Sequence, residues 1–97
     1  MHVGSLRVRM LLRQAQSLKD KRQVVRSVLD RLRQTFHVAA AEVDAQDDIK
    51  QIVLGFAAVA NEAKAVRTTL EAVANALRSH PVAEFVAAES AVDSPLF

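Results

Sequence analysis

The chain contains no cysteine, which excludes disulfides and every metal site built on thiolates. It has no tryptophan, no tyrosine and four phenylalanines, leaving few rings on which nucleic-acid bases could stack. Gly4 and Gly55 are its only glycines, too few and too far apart for a glycine-rich phosphate loop. The nucleophile-elbow pattern and HExxH are both missing, and His2, His37 and His80 stand isolated. No apolar run reaches the roughly 18 residues of a membrane span, and the opening MHVGSLRVRM lacks the apolar core of a signal peptide. The expected location is the cytoplasm, with no membrane partner and no disulfide-forming compartment.

What remains is an ordinary globular composition, 51% hydrophobic and 25% charged over 97 residues, enough for one domain and one core. The net charge of +2 conceals an asymmetry. Residues 1–36 carry nine Lys/Arg against two acids, whereas residues 37–97 carry four against nine. Such polarity suits an anionic partner for the first third of the chain, or a basic face docking on an acidic one.

Much of the positive charge lies in Ser17–Phe36. There Val25, Val28, Leu29, Leu32 and Phe36 recur at helical spacing and share one face. This reading places Lys19, Lys21, Arg22, Arg26 and Arg33 on the wet side. Ser17 is the expected N-cap, with Asp20 three residues on in the manner of a capping box.

Before this helix, Val3–Leu12 alternates apolar and polar residues with the period of a half-buried strand. His37–Asp44 is a second strand, followed by an acidic turn over residues 45–50 that has no glycine. Gln51–Ala60 is almost wholly apolar and reads as a central strand. Asn61 is the expected N-cap of a second helix over 62–79, with Val66, Leu70, Val73 and Leu77 as its stripe and His80-Pro81 as its stop. Glu84–Val92 reads as a last strand and residues 93–97 as a tail.

The order strand–helix–strand–strand–helix–strand predicts an α+β, ferredoxin-like βαββαβ sandwich: a four-stranded antiparallel sheet with both helices on one face. Parity then assigns side chains. If Leu6, Val8 and Met10 lie under the helices, Arg7 and Arg9 stand on the open face. Glu42, Asp44 and Glu89 are placed outward, because a buried unpaired carboxylate is costly. Either alternating set of the third strand can lie beside Arg7 and Arg9. Ile52, Leu54 and Phe56, with Phe85, are taken as the candidate interface, and a homodimer through the sheet or a strand edge is expected.

MHVGSLRVRM, AQSLKDKRQVVRSVLDRLRQTF, AEVDAQD and VLGFAAVAN together resemble the small bacterial YlxP-like proteins, domain of unknown function 503. The most specific piece is Ser17-Leu18-Lys19-Asp20-Lys21-Arg22, supported by Ala41-Glu42-Val43-Asp44 and Leu54-Gly55. The resemblance spans nearly the whole chain. It implies a ferredoxin-like fold and, through a gene neighbourhood shared with translation initiation factor two and ribosome-binding factor A, a ribosome-linked role. One departure is that relatives often carry a tryptophan after the position of Asp47, where this chain has Asp48-Ile49.

Three functional classes compete. Leu54-Gly55-Phe56-Ala57-Ala58-Val59 imitates the third strand of the RNA recognition motif, but the basic residue and the second stacking aromatic are missing. RNA contact therefore falls to phosphate-binding basics: Lys19, Lys21, Arg22, Arg26 and Arg33, with Arg7 and Arg9. A metal-dependent enzyme would have to use Glu42 and Asp44 with Asp47 and Asp48, a cluster without EF-hand spacing. No catalytic residue, resident metal, cofactor or small-molecule substrate is assigned. The leading expectation is a non-enzymatic, ribosome-associated factor that binds ribosomal RNA or a ribosomal protein. A self-associating homodimeric scaffold without nucleic-acid binding is the alternative.

Overall fold

Alternation along the first strand decides which layer lies where. In the computed structural model, which describes residues 1–93, β1 (His2–Leu11) buries Leu6, Val8 and Met10 and exposes Ser5, Arg7 and Arg9. It is followed by α1 (Leu18–Phe36), β2 (Ala39–Asp44), β3 (Gln51–Ala60), α2 (Ala63–Arg78) and β4 (Glu84–Asp93). The strands lie in the order β2-β3-β1-β4, with every neighbouring pair antiparallel. This is the expected ferredoxin-like sandwich, with β1 and β3 central and β2 and β4 at the edges. Asp93 belongs to β4 rather than to a tail, and positions 94–97 of the expected tail lie outside the described residues.

The core forms where the helix stripes meet one face of the central strands. Val25, Val28, Leu29 and Leu32 of α1 and Val66, Leu70, Val73, Ala74 and Leu77 of α2 are buried against Leu6, Val8, Met10, Ile52, Leu54 and Phe56. At roughly 25 cal/mol per Å² of apolar surface removed from water, this layer supplies the main drive for folding.

Local chemistry sets the element ends. Ser17 caps α1, its Oγ accepting the Asp20 N–H at 3.1 Å. Asp20 returns the contact one residue further out than a capping box does, its Oδ2 accepting the Gln16 N–H at 3.2 Å. At the other end His37 takes a left-handed conformation (φ 54°) and its N–H donates to the Arg33 carbonyl. His37 therefore serves through its backbone as a C-terminal cap, and β2 begins two residues later than the sequence suggests. The second helix starts at Ala63, with Glu62 rather than Asn61 at the N-cap and no side-chain cap bond.

Two close fits position the α2 layer. A Cβ added at Gly4 would collide with Val66 Cγ1 and lie 2.9 Å from Leu70 Cδ1, so β1 passes beneath α2 at a point with no room for a side chain. In the connection to β4, His80 Nδ1 accepts the N–H groups of Val82 at 3.1 Å and Ala83 at 2.9 Å. Only an unprotonated Nδ1 can do this. Burial, reinforced by the Arg31 cation, holds the His80 pKa below its ordinary 6.5.

Gly4→Ala is expected to cost about 1–3 kcal/mol, read as a lower Tm; an unchanged Tm would show that Val66 and Leu70 yield freely. For His80, the unfolded chain binds the proton more readily than the folded one. Stability should therefore fall as pH drops below 6.5. His80→Asn, which keeps an acceptor but does not titrate, should flatten that part of a urea-denaturation pH profile. Identical profiles for the two proteins would refute the assignment.

Candidate nucleic-acid interface

The basic residues of the first third divide into those the chain neutralises itself and those it leaves to solvent. Lys21 belongs to the first group and corrects the sequence reading. It is 1% exposed, not on the wet side. Its Nζ donates to the carbonyl oxygens of Ala45 at 2.5 Å and Asp48 at 2.6 Å, and lies 3.1 Å from Glu42 Oε2. The Glu42 approach is off the line of a hydrogen bond, so that contact is coulombic. The signal was present: Lys21, Val25, Val28, Leu29 and Leu32 share one helical face, so periodicity placed residue 21 in the core stripe while its type argued for the surface.

The turn that receives Lys21 is built for it. Ala45 adopts a left-handed conformation (φ 55°), unusual for a residue with a Cβ. Asp44 Oδ1 accepts the Ala45 N–H at 2.7 Å, and Asp48 Oδ1 accepts the N–H groups of Lys50 and Gln51. Those two backbone donors hold the Asp48 carboxyl below the usual range, with the Lys21 charge a lesser cause.

A β-bulge between Glu42 and Asp44 corrects the outward placement of Glu42 and leaves that of Asp44 standing. Glu42 pairs opposite buried Leu54 and turns toward α1, whereas Asp44 emerges on the open face and bonds Arg7 Nη2 at 2.9 Å. With Asp48 folded into the turn, the four acids do not converge. Among the described residues no group of three or more His, Asp or Glu side chains could hold a metal ion.

The interface candidates are also corrected. Leu6 pairs with Phe56, Val8 with Leu54 and Met10 with Ile52. Directly opposed residues share a face, so Ile52, Leu54 and Phe56 lie beneath the helices at 3% exposure or less. A second bulge, between Arg9 and Met10, turns Phe85 to the same side, where Arg78 covers its ring 4.8 Å from the centroid. Ile52, Leu54 and Phe56 are not available to a partner, and Phe85 is half-buried beneath Arg78. Phe56 cannot stack a base, which removes the likeness to the RNA recognition motif.

The open face of β3 instead carries Val53, Gly55, Ala57 and Val59. Around Gly55 and Ala57, the residues Ser5, Ala39, Ala41 and Ala91 floor a shallow cleft of about 600 Å³. Arg7, Val43 and Glu89 also line it.

The remaining basic candidates do not form one site. Arg7 pairs with Asp44, an exposed contact worth about 0–1 kcal/mol. Arg33 binds Asp30 at 3.2 Å and the Ala40 carbonyl at 2.6 Å, joining the end of α1 to β2. Arg9 stands on the open face with no partner among the described residues, across the sheet from α1. Lys19, Arg22 and Arg26 are exposed and likewise have no partner among the described residues. Their i, i+3, i+7 spacing sets them in one stripe about 10 Å long at ~1.5 Å per residue.

Lys21→Met should cost about 3–5 kcal/mol, because it leaves Glu42 without its counter-charge and two turn carbonyls without their donor. Combining it with Glu42→Gln should cost less than the sum of the two single changes. A destabilisation under about 0.5 kcal/mol would show that the turn does not depend on the ammonium.

A search of curated proteins finds no match to this chain. A family profile described as "Protein of unknown function (DUF503)" matches residues 3–90, covering α1, its lysine-bearing first turn and the turn that receives it. The chain belongs to the family of unknown function DUF503.

Proposed function

We propose that this protein is a non-enzymatic accessory factor that binds structured RNA, ribosomal RNA in particular, through the solvent face of α1. The observation that carries this reading is the stripe of Lys19, Arg22 and Arg26, three exposed cations that no acid of the described chain neutralises. The ribosomal assignment draws on the family resemblance in Ser17–Arg22 and on that family's association with translation genes.

The chemistry of such a stripe is phosphate contact. Guanidinium and ammonium groups along one helix face displace condensed counterions, giving affinity with little sequence discrimination and a strong salt dependence. The opposite face of α1 is already buried in the core, so the helix has no apolar stripe left to insert into a bilayer. Base stacking contributes nothing from Phe56, and double-helical or folded RNA suits a backbone-reading surface better than a single strand.

The test is co-sedimentation with ribosomal subunits and with a structured RNA between about 50 and 200 mM salt. Wild type is expected to bind at the low end and to lose affinity steeply. Lys19→Gln/Arg22→Gln/Arg26→Gln should lower the slope of log K against log salt by roughly 2–3, since each phosphate contact contributes about 0.7–0.9. Lys21 is kept intact because it belongs to the core. Absence of wild-type binding at low salt would end the RNA reading, as would an unchanged slope in the folded triple variant.

A further inference from the structure

We infer that the open face of the sheet is the contact surface of a symmetric homodimer, in which Arg9 of each copy pairs with Glu89 of the other. This stands apart from the RNA reading, which concerns the opposite side of the molecule.

The first ground is charge. Arg9 and Glu89 lie on the same open face, on neighbouring strands one step diagonal to each other: β1–β4 pairing sets Arg7 against Glu89 and Arg9 against Ala87. Both are exposed, and neither has an ion-pair partner among the described residues. They line a common hollow beside Arg7 and Ala87. Where Arg9 meets Glu89 of its mate across a twofold axis, Glu89 meets Arg9 in return, because an isologous interface repeats every contact in both directions. A surface bearing one unpaired cation beside one unpaired anion is complementary to itself. A uniformly basic or acidic partner would leave one of the two charges buried and unanswered.

The second ground is shape and extent. Ser5, Ala39, Ala41, Gly55, Ala57 and Ala91 make a floor of small side chains, which lets a second sheet approach to the roughly 10 Å spacing of stacked sheets. Val43 and Val59, 49% and 63% exposed, are the large apolar groups such stacking would remove from water. Three ten-residue strands and the six residues of β2, at ~3.3 Å per residue and ~4.8 Å per strand, give a face of roughly 570 Å² in projection. Corrugated by its side chains, that face is comparable with the ~800 Å² per partner of a standard interface. Stacking also leaves both α1 helices outermost, so their cationic stripes point away from each other.

Sedimentation equilibrium tests this without further components. Wild type should weigh twice the 10.6 kDa chain mass. Arg9→Glu sets like charges against each other across the axis, and Glu89→Arg does the same with opposite sign. Each variant alone should dissociate at least about tenfold more readily. Mixed in equal amounts, the two should restore a dimer. One of its contacts then joins the two introduced charges, which are opposite in sign, and the other joins the native Arg9 and Glu89. An effect confined within one chain cannot produce that rescue. A monomeric wild type at about 100 μM would overturn the proposal by assigning the face to a different occupant. Charge-reversed variants that stay dimeric would overturn it by placing the interface elsewhere, and a mixture that stays monomeric would overturn the Arg9–Glu89 pairing. Lys19→Gln/Arg22→Gln/Arg26→Gln should keep the dimer mass, which separates this outcome from failure of the RNA reading.

Discussion

One buried ammonium group organises the half of the molecule around α1. Lys21 enters the core one turn into the helix and ends among two backbone carbonyls and a carboxylate of the β2–β3 connection. An ion held there without partners would be far too costly, so the connection must keep the shape that presents those oxygens. That requirement accounts for the left-handed Ala45, for the bulge that turns Glu42 inward, and for Asp48 fastening the turn from its far side. Ser17, Asp20 and Lys21 thereby give the first turn of α1 a cap at its start and an anchor to the sheet. The Ser17–Arg22 run that marks the family resemblance is thus largely structural; only Lys19 and Arg22 in it face outward without a partner.

The two halves of the chain use their excess charge differently. Arg7 and Arg33 are held by this chain's own oxygens, as is Arg13, which pairs with Glu84 at 2.8 Å. Much of the apparent basicity of residues 1–36 is therefore spent within the fold, some of it on the acids of the second half. What survives is local: the stripe of Lys19, Arg22 and Arg26 on one side of α1 with Arg31 further along the helix, and one cation beside one anion on the open face of the sheet. A patch of a single sign attracts polyanions, while a mixed pair selects a mixed surface.

Element order was legible because it depends on period alone. The alternation of β1, the unbroken apolar run of β3 and the stripes of both helices each persist over at least ten residues, and β3 fell at its expected bounds. Glu42 and Phe85 were misplaced because one local event overrides period. A single extra residue in β2 places Glu42 and Asp44 on opposite faces, and another in β4 separates Phe85 from Ala87. Both bulges answer packing that only the assembled sheet imposes. Lys21 was missed because residue type was allowed to outweigh position. The choice between the two faces of β3 could not be made from that strand, whose sides are equally apolar. It followed once Leu6, Val8 and Met10 were paired with Phe56, Leu54 and Ile52.

The position of β4 has a consequence for how the protein behaves in concentrated solution. It is a ten-residue strand at the border of the sheet, paired on one side by β1 and lying free along the other. Such a border can template the addition of another chain. Among Glu84–Asp93 the only charged residues are acids, Glu84, Glu89 and Asp93, with no proline and no lysine to discourage growth. The carboxylates of Glu84, Glu89 and Asp93 are then the only charges along this border that oppose such addition.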